Sequence, residues 1–264
     1  HMGVAGAAVA TVLAQLVAGI CCLLFMRRKF QILRMNKEEW RRDGNFMGKL
    51  CGMGLPMGLQ YSITAIGSVI LQSAVNSIGS DAVAAVTAGG KVSMFTCCPF
   101  DAMGSTMATY GGQNVGAGKL ERVGSGLKSC ILLGAFYSVI ALGVILFFGK
   151  YLLLLFLNSD ETAILENAQW FITMNSCFYF PLALVNIIRF MIQGMGFSKL
   201  AVFAGMFEMV ARALMGFVLV PFFGFPAIGF ANPLAWIFAD IFLIPAYLHV
   251  KRRMELAMER QRMA

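Results

Sequence analysis

Three acids and three bases lie inside stretches that are otherwise apolar: Asp101, Glu208 and Asp240 against Lys91, Arg189 and Arg212. A carboxylate in such a setting can hold a cation, carry a proton, or pair with a base. Asp101 stands two residues after Pro99, so it is either a group that handles a cation or proton or an internally hydrogen-bonded carboxylate. Lys91 is ten residues earlier, about 15 Å away by helical rise. Glu208 and Arg212 are four apart and share a helix face. With Arg189 they are expected to form a structural ion-pair network. Asp240, one turn from Trp236, either pairs internally or faces a lumen.

A second polar series, Gln60, Ser62, Thr64, Gln72 and Asn76, follows Gly52, Gly54, Pro56 and Gly58. So many polar groups in one apolar stretch suit a water-filled lumen better than helix–helix adhesion, which makes Gln60, Ser62, Thr64 and Gln72 candidate lumen or substrate residues. Pro56 and Pro99 each remove an intrahelical hydrogen bond and are candidate bend points. Such breaks are tolerated in a bilayer where protein or water satisfies the freed carbonyl.

The elements that carry these residues are membrane spans. Gly3–Met26, Leu50–Val75, Val83–Tyr110, Val123–Phe148, Asn167–Ile192, Leu200–Phe223 and Ala227–Val250 are each long and apolar enough to cross about 30 Å of hydrocarbon. The chain of 264 residues is 59% hydrophobic and 13% charged, with mean hydropathy +0.75. The expected class is therefore an all-α membrane protein of about seven transmembrane helices, with no room for a separate soluble domain.

The net charge of +8 is placed as a topology signal rather than as a nucleic-acid surface. Arg27, Arg28, Lys29, Arg34, Lys37, Arg41, Arg42 and Lys49 fill one loop, and Lys251, Arg252, Arg253, Arg260 and Arg262 fill the tail. Basic flanks favour the cytoplasmic side. The C-terminus and the long loop are thus expected inside and Gly3 outside, with some attraction to anionic lipid. The basic loop, with Phe30 and Trp40, reads as either an amphipathic interfacial helix or a solvated linker. Gly149–Leu157 is expected to be an interfacial turn on the outer side.

The seven cysteines include no CxxC, and His249 is the only histidine besides His1, so neither a disulfide framework nor a metal site is expected. His1-Met2 reads as a cloning scar. No phosphate loop or catalytic constellation occurs, so ATP-driven export and enzyme chemistry are not expected. A rhodopsin-like receptor lacks its Schiff-base lysine here.

Specific motifs sharpen the reading. Gly54-Leu55-Pro56, Asn76 to Gly79, Ala82–Ala85 and Gln113-Asn114-x-Gly116-Ala117-Gly118-Lys119-x-Glu121-Arg122 resemble the multidrug and toxic compound extrusion (MATE) family. Ile188-Arg189, Gln193-Gly194-x-Gly196-x-Ser198, Glu208-x-x-x-Arg212 and Gly224-Phe-Pro226-x-x-Gly229 are similar to the same family. The resemblance implies a cavity between two six-helix lobes and export of small amphipathic, often cationic compounds against Na⁺ or H⁺, with no cofactor.

This chain resembles the last helix of a first lobe (1–26), a cytoplasmic basic loop (27–49), a complete second lobe (50–250) and a basic tail (251–264). The first and last spans also echo one another: at a constant offset Gly6 and Ala8 fall on Gly229 and Ala231. Truncation, with a missing N-terminal lobe or a second copy as partner, is the expectation. Members with a second-lobe sodium site carry an acid where this chain offers Gln60, Ser62 and Thr64, and proton-coupled members use first-lobe acids. The alternatives are a lipid-linked saccharide flippase of the same superfamily, or an inactive or self-dimerising half. The implied location is a bacterial cytoplasmic membrane.

Overall fold

The structure is a computed structural model that describes residues 3–30, 43–158 and 161–263. All regular structure among the described residues is helical. The chain divides into two units, His1–Lys49 and Leu50–Ala264. In the first, α1 (Gly3–Lys29) is an apolar helix ending on Arg27, Arg28 and Lys29. The interfacial helix expected across the basic loop would fall on 31–42, which, like His1-Met2 and Asp160, lies outside the described residues. Asp43 then starts α2 (Gly44–Ile78): its carboxylate accepts from the N–H groups of Asn45 and Phe46 at 2.9 and 3.2 Å, a side-chain cap.

The second unit holds the rest of α2, then α3 (Ser80–Gly116), α4 (Leu120–Leu153), α5 (Thr162–Cys177), α6 (Tyr179–Gly194), α7 (Ser198–Leu214), a π-helical turn (Met215–Leu219), α8 (Val220–Phe223) and α9 (Phe225–Met263). Six of the described helical stretches are long and apolar enough to cross a membrane, and α5 with α6 forms a further, bent candidate.

The spans run past the sequence expectations wherever charge alone had drawn the boundary. α4 continues unbroken through Lys150 to Leu153, so the first half of the expected interfacial turn is the end of this helix. α9 carries on through the basic tail. Conversely, the expected single span 167–192 is bent by 52° at Phe178. Pro181 explains it: its ring cannot coexist with the helical carbonyl of Cys177, four residues back, where α5 stops. The π turn likewise precedes Pro221 and opens the ladder that proline would otherwise break. Pro56, Pro99, Pro233 and Pro245 all sit inside continuous helices.

Small residues set the spacing. A Cβ on Gly194 of α6 would lie 2.2 Å from the Ala108 carbonyl oxygen of α3, and one on Gly104 of α3 would lie 2.7 Å from the Phe190 ring. These positions let two backbones approach as closely as membrane helices do when packing rather than hydrophobicity drives contact. Gly67 of α2 meets Met209 of α7 in the same way, at 3.1 Å from a built Cβ to the backbone. The interior splits into two apolar clusters. One centres on Phe100, Tyr179, Ile187, Met191 and Leu243, the other on Val75, Ile145, Leu153, Ile172 and Ile228.

Candidate translocation face and buried charge cluster

Asp101, Ser105, Thr109 and Gln113 recur every four residues, forming one ridge along α3, and all four are exposed. Cys98 and Thr106 flank the ridge and are exposed too. Its hydroxyls return bonds to their own helix: Ser105 and Thr106 donate to the Ala102 carbonyl at 3.0 and 2.8 Å, and Thr109 donates to Ser105 at 3.1 Å. Asp101 makes no hydrogen bond or ion pair among the described residues. Pro99 sits two residues before it, half-buried.

α2 contributes a similar face. Ser62 and Gln72 are exposed; Ser62 donates to the Gly58 carbonyl at 3.0 Å, and Gln72 donates to Asn76 at 3.0 Å. Pro56 lies where Gly52, Gly54 and Gly58 have open space around them. The exposed faces of other helices are different in kind. α4 shows Leu132, Phe136, Val139 and Phe147 outward, α7 shows Phe203 and Val210, and the π-helical turn shows Phe217. Hydrocarbon accommodates the second kind of face and not the first.

Gln60, grouped by sequence with the lumen residues, is instead 2% exposed. The amide of Gln193 on α6 donates to its carbonyl oxygen at 2.6 Å. Thr64, one turn on, is half-buried against α7, where a Cβ on Gly205 would lie 3.4 Å from its hydroxyl. Gln60 and Ser62 are about 200° apart around the helix, so they face opposite ways.

Behind this contact sits a charge cluster. The Arg189 guanidinium of α6 donates to Glu208 Oε1 of α7, while Glu208 Oε2 lies 3.6 Å from Arg212 Nη1. Asp240 of α9 is 7% exposed and within electrostatic reach of Arg189, and its Oδ1 accepts no hydrogen bond among the described residues. Two bases and two acids thus share one buried junction, where the contacts between opposite charges offset part of the desolvation cost. Asp101 is not among them.

Gln113, Asn114, Gly116 and Ala117 end α3. Gly118 adopts φ +68°, and the Lys119 and Gly118 N–H groups bond back to the Asn114 and Val115 carbonyls at 2.8 and 3.0 Å, a Schellman stop. Asn114 also donates to the Tyr110 carbonyl at 2.8 Å. The Gln193–Gly196 motif builds the same device with Gly196 at φ +91°.

Sequence reading missed a node at mid-span. Tyr137 of α4 donates to the Thr96 carbonyl at 2.9 Å, the Thr96 and Tyr179 hydroxyls meet at 2.8 Å, and Phe100 packs edge-on against both tyrosine rings. The available signal was a pair of tyrosines in the middle of apolar stretches, where a hydroxyl needs a partner.

A bundle of lipid-length helices with a polar exposed flank is an integral membrane protein. The chain belongs to the MatE family, whose model matches residues 56–218. It is 29% identical over 194 residues to "Probable multidrug resistance protein YpnP" of Bacillus subtilis, covering 71% of this chain and 41% of that protein. It is 26% identical over 247 residues to "Probable multidrug resistance protein NorM" of Thermotoga maritima, covering 91% and 51%. A solved structure described as MATE in complex with MaL6 superposes with TM-score 0.84 at 17% identity, covering 98% of this chain and 58% of that one. The chain spans about half the length of the curated relatives it matches.

Proposed function

We propose that this chain supplies one lobe of a secondary active multidrug or toxin efflux transporter, working by alternating access with Na⁺ or H⁺ re-entry. The single observation that carries the reading is the exposed ridge Asp101–Ser105–Thr109–Gln113 beside the polar face of α2. At bilayer depth such a face needs water or a second polar wall. The chain's half-length match to its relatives supports a partner lobe, either a missing N-terminal one or a second copy.

The unpaired acid on that ridge suits small amphipathic, cationic cargo and makes Asp101 the first candidate for ion or proton coupling; Asp240 is the second. Bending at Pro56 and Pro99 lets α2 and α3 follow the cavity as it changes sides. The basic flanks favour a bacterial cytoplasmic membrane with the N-terminus outside and the C-terminus inside.

Cys98 offers the test, because it stands one turn before Asp101 and is exposed. In a variant retaining Cys98 alone, reconstituted in bilayers, a water-soluble, membrane-impermeant thiol reagent is expected to label it. Labelling no faster than at a lone Cys177, or protection of Cys98 only by lipid-soluble quenchers, overturns the water-filled pathway.

A further inference from the structure

α7 and α9 run antiparallel, with aromatic residues of the two helices facing across a seam. The Phe242 ring of α9 lies 5.4 Å from Phe207 and 5.9 Å from Phe203 of α7. Both stripes become basic in the same direction. Stepping back one turn from Phe203 along α7 reaches Lys199, which is exposed. Stepping forward from Phe242 along α9 reaches His249 and then Arg253. The two ends meet, because the Arg253 guanidinium sits 5.8 Å over the ring of Phe197, two residues before Lys199.

We propose that this seam is a binding site for an anionic phospholipid, its acyl chain against Phe203, Phe207 and Phe242 and its phosphate held by Arg253, Lys199 and Arg252. The dimensions fit. Phe242 to Arg253 rises roughly 16 Å along the helix, about half of the ~30 Å hydrocarbon core and so one leaflet.

The exposed apolar side of α9 ends at the same level: Leu248 is 59% exposed and Arg252 follows it one turn on. The basic end is a cavity of about 500 Å³ lined by His249, Arg252, Arg253, Leu256 and Ala257, with no acid in its wall. Glu255 and Glu259, on the same helix, line a different groove against Lys119 and Arg122. Arginine suits a phosphate that must be gripped by a fork of donors at an interface. The site depends on the lipid-facing side of the lobe alone, not on any transported solute.

The test is native mass spectrometry of the full chain released from mixed phosphatidylglycerol and phosphatidylcholine. Retention of phosphatidylglycerol is expected to exceed that of phosphatidylcholine. Lys199→Ala with Arg253→Ala is expected to reduce that preference by about fivefold per basic residue removed. Lys119→Ala with Arg122→Ala, which alters the acidic groove instead, is expected to leave it unchanged. Equal retention of the two lipids by the unaltered chain overturns the site even if the first variant does not fold. An equal loss in the Lys119/Arg122 variant also overturns it, as does full competition by inorganic phosphate, which lacks the acyl chain.

Discussion

Gln193 of α6 donates its side-chain amide to the carbonyl oxygen of Gln60 of α2 across 2.6 Å, with both residues buried. This side-chain hydrogen bond joins α2 to the helices behind it, and Arg189 lies one turn away from Gln193 on the same face of α6. The buried side of α2 is thus tied to the buried charge junction.

Cutting that tie from one side leaves an orphaned amide. Gln60→Leu or Gln193→Leu alone is expected to lower stability by about 1–3 kcal/mol, while the double substitution recovers much of the loss. A double-mutant cycle on unfolding in detergent measures it, and additive single effects contradict the pairing.

Removing the acid from the Arg189–Glu208–Arg212 cluster has a larger expected effect. Glu208→Gln leaves two buried guanidinium groups against Asp240 alone, and breaking a buried pair this way costs about 3–5 kcal/mol. Replacing Arg212 and Glu208 together with leucines is expected to cost less than Glu208→Gln, read as the shift in the detergent unfolding midpoint.

Asp101 behaves oppositely because it is exposed and unpaired. Asp101→Asn is expected to leave the unfolding midpoint of this chain unchanged. In an assembly that includes the partner lobe, it is expected to abolish efflux of a cationic dye driven by a Na⁺ or H⁺ gradient. Unchanged gradient-driven efflux assigns Asp101 no part in coupling.

Backbone contact makes Gly194 intolerant. With the Ala108 carbonyl 2.2 Å from a built Cβ, Gly194→Ala must push α6 from α3, at roughly 1–3 kcal/mol or more. Gly90 of α3 has nothing within 4 Å, so Gly90→Ala is expected to be neutral or stabilising. Thermal unfolding of the two variants side by side checks the contrast.

Much of this molecule follows from composition along the chain. The apolar runs that fill helices α2–α4, α7 and α9 could satisfy their backbone in lipid only as helices, so their existence required no knowledge of neighbours. The Glu208–Arg212 pair was equally legible, since four residues on a helix are neighbours wherever the helix goes. Arg189 joins that pair only because the Gly196 stop folds α6 back against α7.

Tertiary structure alone decided which polar groups face inward. Gln60 and Ser62 carry the same local signal and end on opposite sides of α2, because Gly205 and Gln193 offer a partner on one side only. Asp101 and Asp240 are likewise both acids within apolar stretches. One is left on an open ridge and the other is enclosed beside Arg189, since burial depends on which helices pack against a face, and that arrangement is set by contacts far apart in the chain.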